Sequence, residues 1–128
     1  GDRFGAIRSG VVAAGLAAID LVEDADDLRL DLARKTAHWR KGLTDAGFAL
    51  LPGQHPIVPV MLSEAPLAQA MAAALERRGV YVAGFFFPVV PRGQARIRTQ
   101  MNAAIDMADL DTALQAFVDA GRETGAIR

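Results

Sequence analysis

At 128 residues, 52% of them hydrophobic, the chain is long and apolar enough to bury the core of one compact domain, which excludes a disordered segment. Fourteen Lys plus Arg against fifteen Asp plus Glu leave a net charge of −1, so there is no electrostatic footprint for nucleic acid or for an anionic membrane. With no cysteine, a disulfide framework, a thiolate zinc site and a cysteine nucleophile are all excluded, and a cytoplasmic protein is expected.

Residues 1–10 show neither a signal-peptide pattern nor a clean helical period and are expected to be a leader or a remnant, with the domain running from 11 to 128. Val12, Leu16, Ile19 and Val22 recur at helical spacing and predict a first, apolar helix. Glu23, Asp24, Asp26 and Asp27 then offer an N-cap and an acidic first turn to a second helix, whose buried stripe is Leu28, Leu32, Trp39 and Leu43 and whose stop is Gly47. Phe48 to Leu51 reads as a short strand and Ile57 to Leu62 as a second, which Pro59 confines to an edge or a bulge. Glu64 to Arg78 is a helix with Ser63 placed to cap it and Gly79 just past its end. Val80 to Phe86 reads as a buried strand, Pro88 to Gly93 as a break and Ala95 to Met101 as a further strand. A last helix starts at Asp106 and Asp109 and turns Leu110, Leu114, Phe117 and Gly121 inward. The order predicts an α+β fold with a small, mostly antiparallel sheet and helices on one face. The apolar runs around residues 11–19 and 80–90 are broken by Gly or Pro and fall short of a membrane span, so no membrane partner is expected.

Residues that could carry chemistry are few. His38 falls on the exposed side of the second helix and His55 in a turn, neither with a carboxylate or second histidine at metal spacing, so no metal site is expected. Ser9 and Ser63 assemble no nucleophilic triad, and no G-x-G-x-x-G or P-loop pattern cradles phosphate. Phe85, Phe86 and Phe87 can form an aromatic wall or divide between core and interface. On period 2, Arg96, Arg98 and Gln100 share one face of their strand while Ile97, Thr99 and Met101 share the other. That pattern fits a plain exposed face, or a face that offers donors to a carboxylate.

The wording GFFFPVVPRGQARIRTQM at 84–101, with HPIVPVML at 55–62 and AFVDAGRETG at 116–125, resembles the C-terminal small domain of the α-oxoamine synthase family of pyridoxal-phosphate enzymes, over about residues 11–127. The resemblance implies the small domain of a fold-type I pyridoxal-phosphate transferase. It implies that Arg98 binds the carboxylate of the amino-acid substrate, and that Pro88 to Gly93 is a stiff loop closing over the active site. Within the family the wording points to the members that condense glycine with acetyl-CoA into 2-amino-3-ketobutyrate, with 8-amino-7-oxononanoate and 5-aminolevulinate synthases as sister activities. Where the family commonly reads A-A-H after the strand, this chain has Ala103, Ala104 and Ile105. The lysine, aspartate and histidine that hold pyridoxal phosphate lie upstream in the family's large domain, and Lys35 and Lys41 do not resemble that lysine's setting. The resemblance therefore implies a homo-oligomeric acyltransferase of threonine catabolism as the parent, and a piece that alone neither binds the cofactor nor turns over substrate. The rival reading is a free-standing α+β binding or oligomerisation module without chemistry.

Overall fold

The structure, a computed structural model, describes residues 18–128. Its elements are α1 (Ala18–Ala46), β1 (Ala49–Leu50), β2 (Ile57–Ser63), α2 (Ala65–Glu76), β3 (Ala83–Phe85), β4 (Ala95–Gln100) and α3 (Met107–Thr124). The four strands form one sheet in the order β1-β2-β4-β3, and every pairing is antiparallel. This is the α+β layout expected from the pattern, with the helices gathered on one face.

Alternation decides which face that is. Val58, Val60 and Ile97 point into the core, each fully buried, where they meet Trp39 and Leu43 of α1, Met71 and Leu75 of α2, and Leu110 and Phe117 of α3. Phe117 is the hinge of the packing: its ring stands edge-on to Trp39 at 5.2 Å and to Phe48 at 6.2 Å, the geometry that aromatic quadrupoles favour. On the other face Ile57, Pro59 and Met61 are half-buried, and Arg98 and Gln100 are exposed.

Two buried polar links tie α1 to β4 and to the turn that follows it. Trp39 Nε1 donates to Thr99 Oγ1 at 2.9 Å, and that hydroxyl donates onward to the Val58 carbonyl at 2.7 Å, so one threonine joins α1, β4 and β2. Lys35, only 8% exposed, donates to the Ala103 carbonyl at 2.7 Å and pairs with Asp31 at 2.7 Å.

Several expectations are corrected. The acidic cluster does not start a second helix: α1 runs through it as one 29-residue helix. Capping residues permit a helix start without enforcing one, their interior cost is well under about 1 kcal/mol each, and pairs such as Asp26–Arg29 at 3.6 Å and Lys41–Asp45 at 2.6 Å follow the helical spacing. Val12, Leu16 and the 1–10 segment lie outside the described residues. Leu28 is not in the buried stripe but 42% exposed, because residues 26–30 are all exposed and this stretch reaches past the core. Leu32, Trp39 and Leu43 do face inward.

Of the two alternatives for the Pro59 strand, an edge or a bulge, the structure gives the second: the strand is interior and its irregularity lies between Met61 and Ser63. The proline is tolerated because β1 pairs only with Val60 and Met61, leaving Pro59 paired with Arg98 alone. Ser63 does not cap α2. It ends β2 at φ +64° in a tight turn in which Glu64 N donates to the Leu62 carbonyl, so Glu64 takes the cap position and Pro66 the first turn. The buried strand at 80–86 shrinks to Ala83–Phe85 on the sheet edge, with Ala83 and Gly84 exposed, because only β4 flanks it.

Gly47 at φ +114° ends α1 as expected, in a conformation that L side chains rarely adopt. Gly79 at φ +81° follows the last turn of α2 in the same way. Asp106 caps α3 by accepting from Asp109 N at 2.7 Å. Glu123 of α3 reaches back to Arg77 and Arg78 after α2, and Arg78's donated hydrogen bond is the leading cause that holds its carboxyl below the usual range.

Thr99 supplies a sharp test of the buried links. Thr99→Val keeps the shape but strands the Trp39 N–H, and is expected to lower the unfolding free energy by about 1–3 kcal/mol. Thr99→Ser keeps the hydroxyl and should recover most of that loss. Denaturant titrations of the three proteins, followed by Trp39 fluorescence, check the ranking; a Thr99→Val midpoint equal to that of the parent would refute it.

Candidate carboxylate-binding strand and its cleft

The site is built on β4. Ala95, Ile97 and Thr99 are buried, while Arg96 is half-buried and Arg98 and Gln100 are exposed, so the strand shows its guanidinium groups on the face away from the helices. Cross-strand pairing sets the neighbours: Arg98 lies between Pro59 of β2 and Ala83 of β3, and Arg96 between Met61 and Phe85. The expected shared face of Arg96, Arg98 and Gln100 is thus observed, opposite Ile97, Thr99 and the buried Met101.

The two arginines differ in how they are held. Arg96 Nε donates to the Gln94 carbonyl at 3.1 Å and its Nη2 to Gln94 Oε1 at 3.2 Å, so its fork is occupied by the loop just before the strand. Arg98 places its guanidinium carbon over the Phe85 ring, 4.6 Å from the centroid, and has no hydrogen-bond or ion-pair partner among the described residues. A planar fork lying on an aromatic face keeps its in-plane N–H donors available, which is the condition for two-point capture of a carboxylate.

Around the strand stand the loop and the cleft. Residues 86–94 fold back through Val89 N to Phe86 O at 2.9 Å and Gln94 N to Pro91 O at 3.1 Å, with a cis Phe87–Pro88 bond, and Arg92 lies 4.0 Å over the Phe87 ring. The three phenylalanines divide: Phe86 packs on the core's edge, Phe85 carries Arg98, and Phe87 is 49% exposed under Arg92. A cleft of about 500 Å³ opens beside the end of β4, lined by Trp39, Tyr81, Arg98, Asn102, Ile105 and Phe117 among others. Asn102 Oδ1 accepts from Ala104 N at 2.9 Å and Ile105 N at 3.0 Å, which turns the chain so that Ile105 is buried at 1% exposure against the core.

The remaining polar candidates serve the scaffold. His38 is less solitary than its sequence setting implies: its Nε2 meets Asp111 Oδ1 at 2.5 Å, joining α1 to α3. The two residues are far apart in the chain, and only the helix packing brings them together. His55 is exposed and its Nδ1 accepts from Ile57 N at 3.0 Å, the local turn role expected of it. Among the described residues no group of three or more His, Asp or Glu is placed to hold a metal ion, and no helix is long and apolar enough to cross a membrane. The buried Lys35 and the Trp39–Thr99 link escaped the sequence reading. An inward-facing threonine on a strand and a lysine on the Trp39 side of a helix were the only signals.

A profile of the aminotransferase class I and II family matches residues 4–117. The chain belongs to that family. It is 42% identical over 121 residues to the 2-amino-3-ketobutyrate coenzyme A ligase of Escherichia coli (strain K12), which covers 94% of this chain and 30% of the relative. The mitochondrial 2-amino-3-ketobutyrate coenzyme A ligase of Homo sapiens is 42% identical over 91% of the chain and 28% of its own length. The 8-amino-7-oxononanoate synthase of Symbiobacterium thermophilum is 41% identical over 92% and 30%. These relatives bear out the resemblance read from the motifs. Among solved structures, Sphingomonas wittichii serine palmitoyltransferase shares the fold with a TM-score of 0.79 and 30% identity over 92% of this chain and 30% of that one. A structure of SPT with PLP gives 0.79 and 32% identity over 91% and 30%. The chain thus spans under a third of the length of the relatives it matches.

Because the SPT structure holds PLP, the amines of this chain bear on whether it could hold the group. Lys35 is spent on Asp31 and Ala103, Lys41 is paired with Asp45, and neither lines the cleft beside Arg98. Neither lysine is placed to hold the group covalently in that cleft.

Asp31, whose carboxylate accepts from Lys35 and Arg34, is held below the usual aspartate range by those two bonds, Lys35 first. A depressed folded-state pKa gives stability that is present above the unfolded value, about 3.9, and lost as pH falls through the folded value. Asp31→Asn is therefore expected to lower the denaturant midpoint at pH 7, with the gap to the parent closing as the pH drops below about 4. A gap independent of pH would show that the Lys35 brace is not electrostatic.

Proposed function

We propose that this chain is the C-terminal small domain of a pyridoxal-phosphate-dependent glycine C-acetyltransferase, with Arg98 as the reader of the glycine carboxylate. The whole protein would join glycine to acetyl-CoA, giving 2-amino-3-ketobutyrate and CoA, or run the cleavage direction in threonine breakdown, as a cytoplasmic homo-oligomer. The observation that carries the reading is the contrast on β4: Arg98 lies stacked on Phe85 with its donors unspent, at the position where the family motif places its carboxylate-binding arginine, while Arg96 is occupied by Gln94.

In this reading the larger part of the protein holds the cofactor, and this chain orients the substrate. When bound, pyridoxal phosphate supplies an electron sink for charge developing at the glycine Cα. The fork of Arg98 grips both carboxylate oxygens and so fixes the direction of the Cα–H bond. The loop at 88–93 closes over the bound substrate and excludes water, its two prolines limiting its freedom. The 41% identity to an 8-amino-7-oxononanoate synthase keeps that sister activity as a second reading. Steady-state assays with glycine and acetyl-CoA decide between the two.

The 128-residue chain alone, mixed with pyridoxal phosphate, glycine and acetyl-CoA, is expected to release no CoA, since both its lysines are engaged elsewhere. Turnover by the chain alone would overturn the assignment of the cofactor site to the rest of the protein.

In the complete protein, Arg98→Lys keeps the charge but loses the fork. It is expected to raise the KM for glycine and lower kcat/KM by roughly one to two decades, the worth of a charge-assisted hydrogen bond of about 1.5–3 kcal/mol. Arg96→Lys should be milder, because its contacts run to Gln94. Equal effects, or a larger one at Arg96, would place the reader elsewhere.

A further inference from the structure

The same contrast between the arginines assigns a role to the ring beneath Arg98. A long arginine side chain on an exposed strand face has many rotamers, and ordering it costs free energy each time substrate binds. Proteins commonly prevent this with a carboxylate or carbonyl partner, as Gln94 does for Arg96. Such a partner occupies N–H groups, and a carboxylate partner also competes with the substrate's own charge. Arg98 is held differently. Phe85 sits opposite Arg96 in register, so its side chain shares the arginine face, and its ring reaches diagonally to within 4.6 Å of the Arg98 guanidinium carbon. Stacking constrains the plane of the fork and leaves its edge open. β4 is fixed underneath by the buried Trp39–Thr99–Val58 chain, so backbone and side chain are both set before a ligand arrives.

We propose that Phe85 is a positioning residue for carboxylate recognition: it pre-orders the Arg98 guanidinium by aromatic stacking, and so sets the affinity for the amino-acid substrate without touching it. The proposal rests on the reading of Arg98 as the carboxylate reader. Its neighbour pair, Arg92 over Phe87 in the loop, shows that the phenylalanine run can hold a second guanidinium in the same manner.

The test uses the complete protein and three variants. Phe85→Leu removes the ring and is expected to raise the KM for glycine about fivefold, the equivalent of an exposed cation–π contact. It should leave kcat at saturating glycine and the KM for acetyl-CoA within about twofold. Phe85→Tyr keeps an aromatic face and should restore the glycine KM. In an Arg98→Met background the Phe85→Leu effect on kcat/KM should vanish, since no cation remains to be ordered, whereas a ring acting only through packing would cost the same in both backgrounds. An undiminished fivefold loss in that background, or a Phe85→Tyr protein as impaired as Phe85→Leu, overturns the proposal. Arg98→Met with unchanged kcat/KM for glycine overturns the carboxylate reading itself, and this proposal with it. A measurement needing no variant at 85 is the side-chain NMR signal of Arg98 Nε–H in the unsubstituted protein, assigned by its loss in Arg98→Lys. It should lie upfield of the Arg96 signal through the Phe85 ring current, and coincident signals would refute the stacking.

Discussion

The period-2 alternation of β4 is the constraint on which the other features depend. One six-residue strand has to bury Ala95, Ile97 and Thr99 under three helices while presenting Arg96, Arg98 and Gln100 on the other side. A slip of one residue would drive two guanidinium groups into the core, a cost far beyond the few kcal/mol by which a domain of this size is stable. The Thr99 hydroxyl supports the register further: Trp39 of α1 donates to it and it donates to the Val58 carbonyl of β2, a pair of bonds that neither Ile97 nor Met101 could make. Core packing and the presentation of the arginine face are therefore the same structural fact seen from two sides.

That coupling explains the distribution of polar groups around the site. Lys35 is buried and doubly engaged: it pairs with Asp31 within α1, and its bond to the Ala103 carbonyl ties α1 to the turn after β4. Asn102 shapes that turn, and Ile105 fills the apolar position it creates. Each of these contacts stiffens the end of the strand that carries Arg98, and none consumes a donor of Arg98 itself. Arg96, two residues earlier, is drawn to Gln94 and serves the loop. Two arginines alike in the sequence thus have different employments, and the difference comes from the loop geometry and from the ring of Phe85.

The features that misled the sequence reading share a physical origin. Acidic residues before an apolar stripe read as a helix start, but helix propensity is permissive and α1 continues through Asp26 and Asp27. Leu28 has the spacing of a core residue, yet a stripe is buried only where a partner surface extends to meet it. Ser63 has the chemistry of a cap and stands one residue too early, because the irregularity at the end of β2 takes up its backbone. Pro59 argued for an edge or a bulge: the strand does carry an irregularity, between Met61 and Ser63, but it is interior, and β1 is too short to reach the proline. In each case the local signal was real and a neighbouring element decided its outcome.

By itself the sequence determined the α+β class, the element order after residue 46, the stops at Gly47 and Gly79, the cap at Asp106, and the two faces of β4. These follow from periodicity and from backbone rules that act over a few residues. The motif around Arg98 also carried the family resemblance. Only the tertiary structure decided which arginine keeps its fork unspent, that Phe85 lies under it, that Lys35 and Thr99 are buried and paired, and that His38 meets Asp111. Those contacts join residues as much as 73 positions apart, and their partners are chosen by helix packing and strand pairing, which no local pattern encodes.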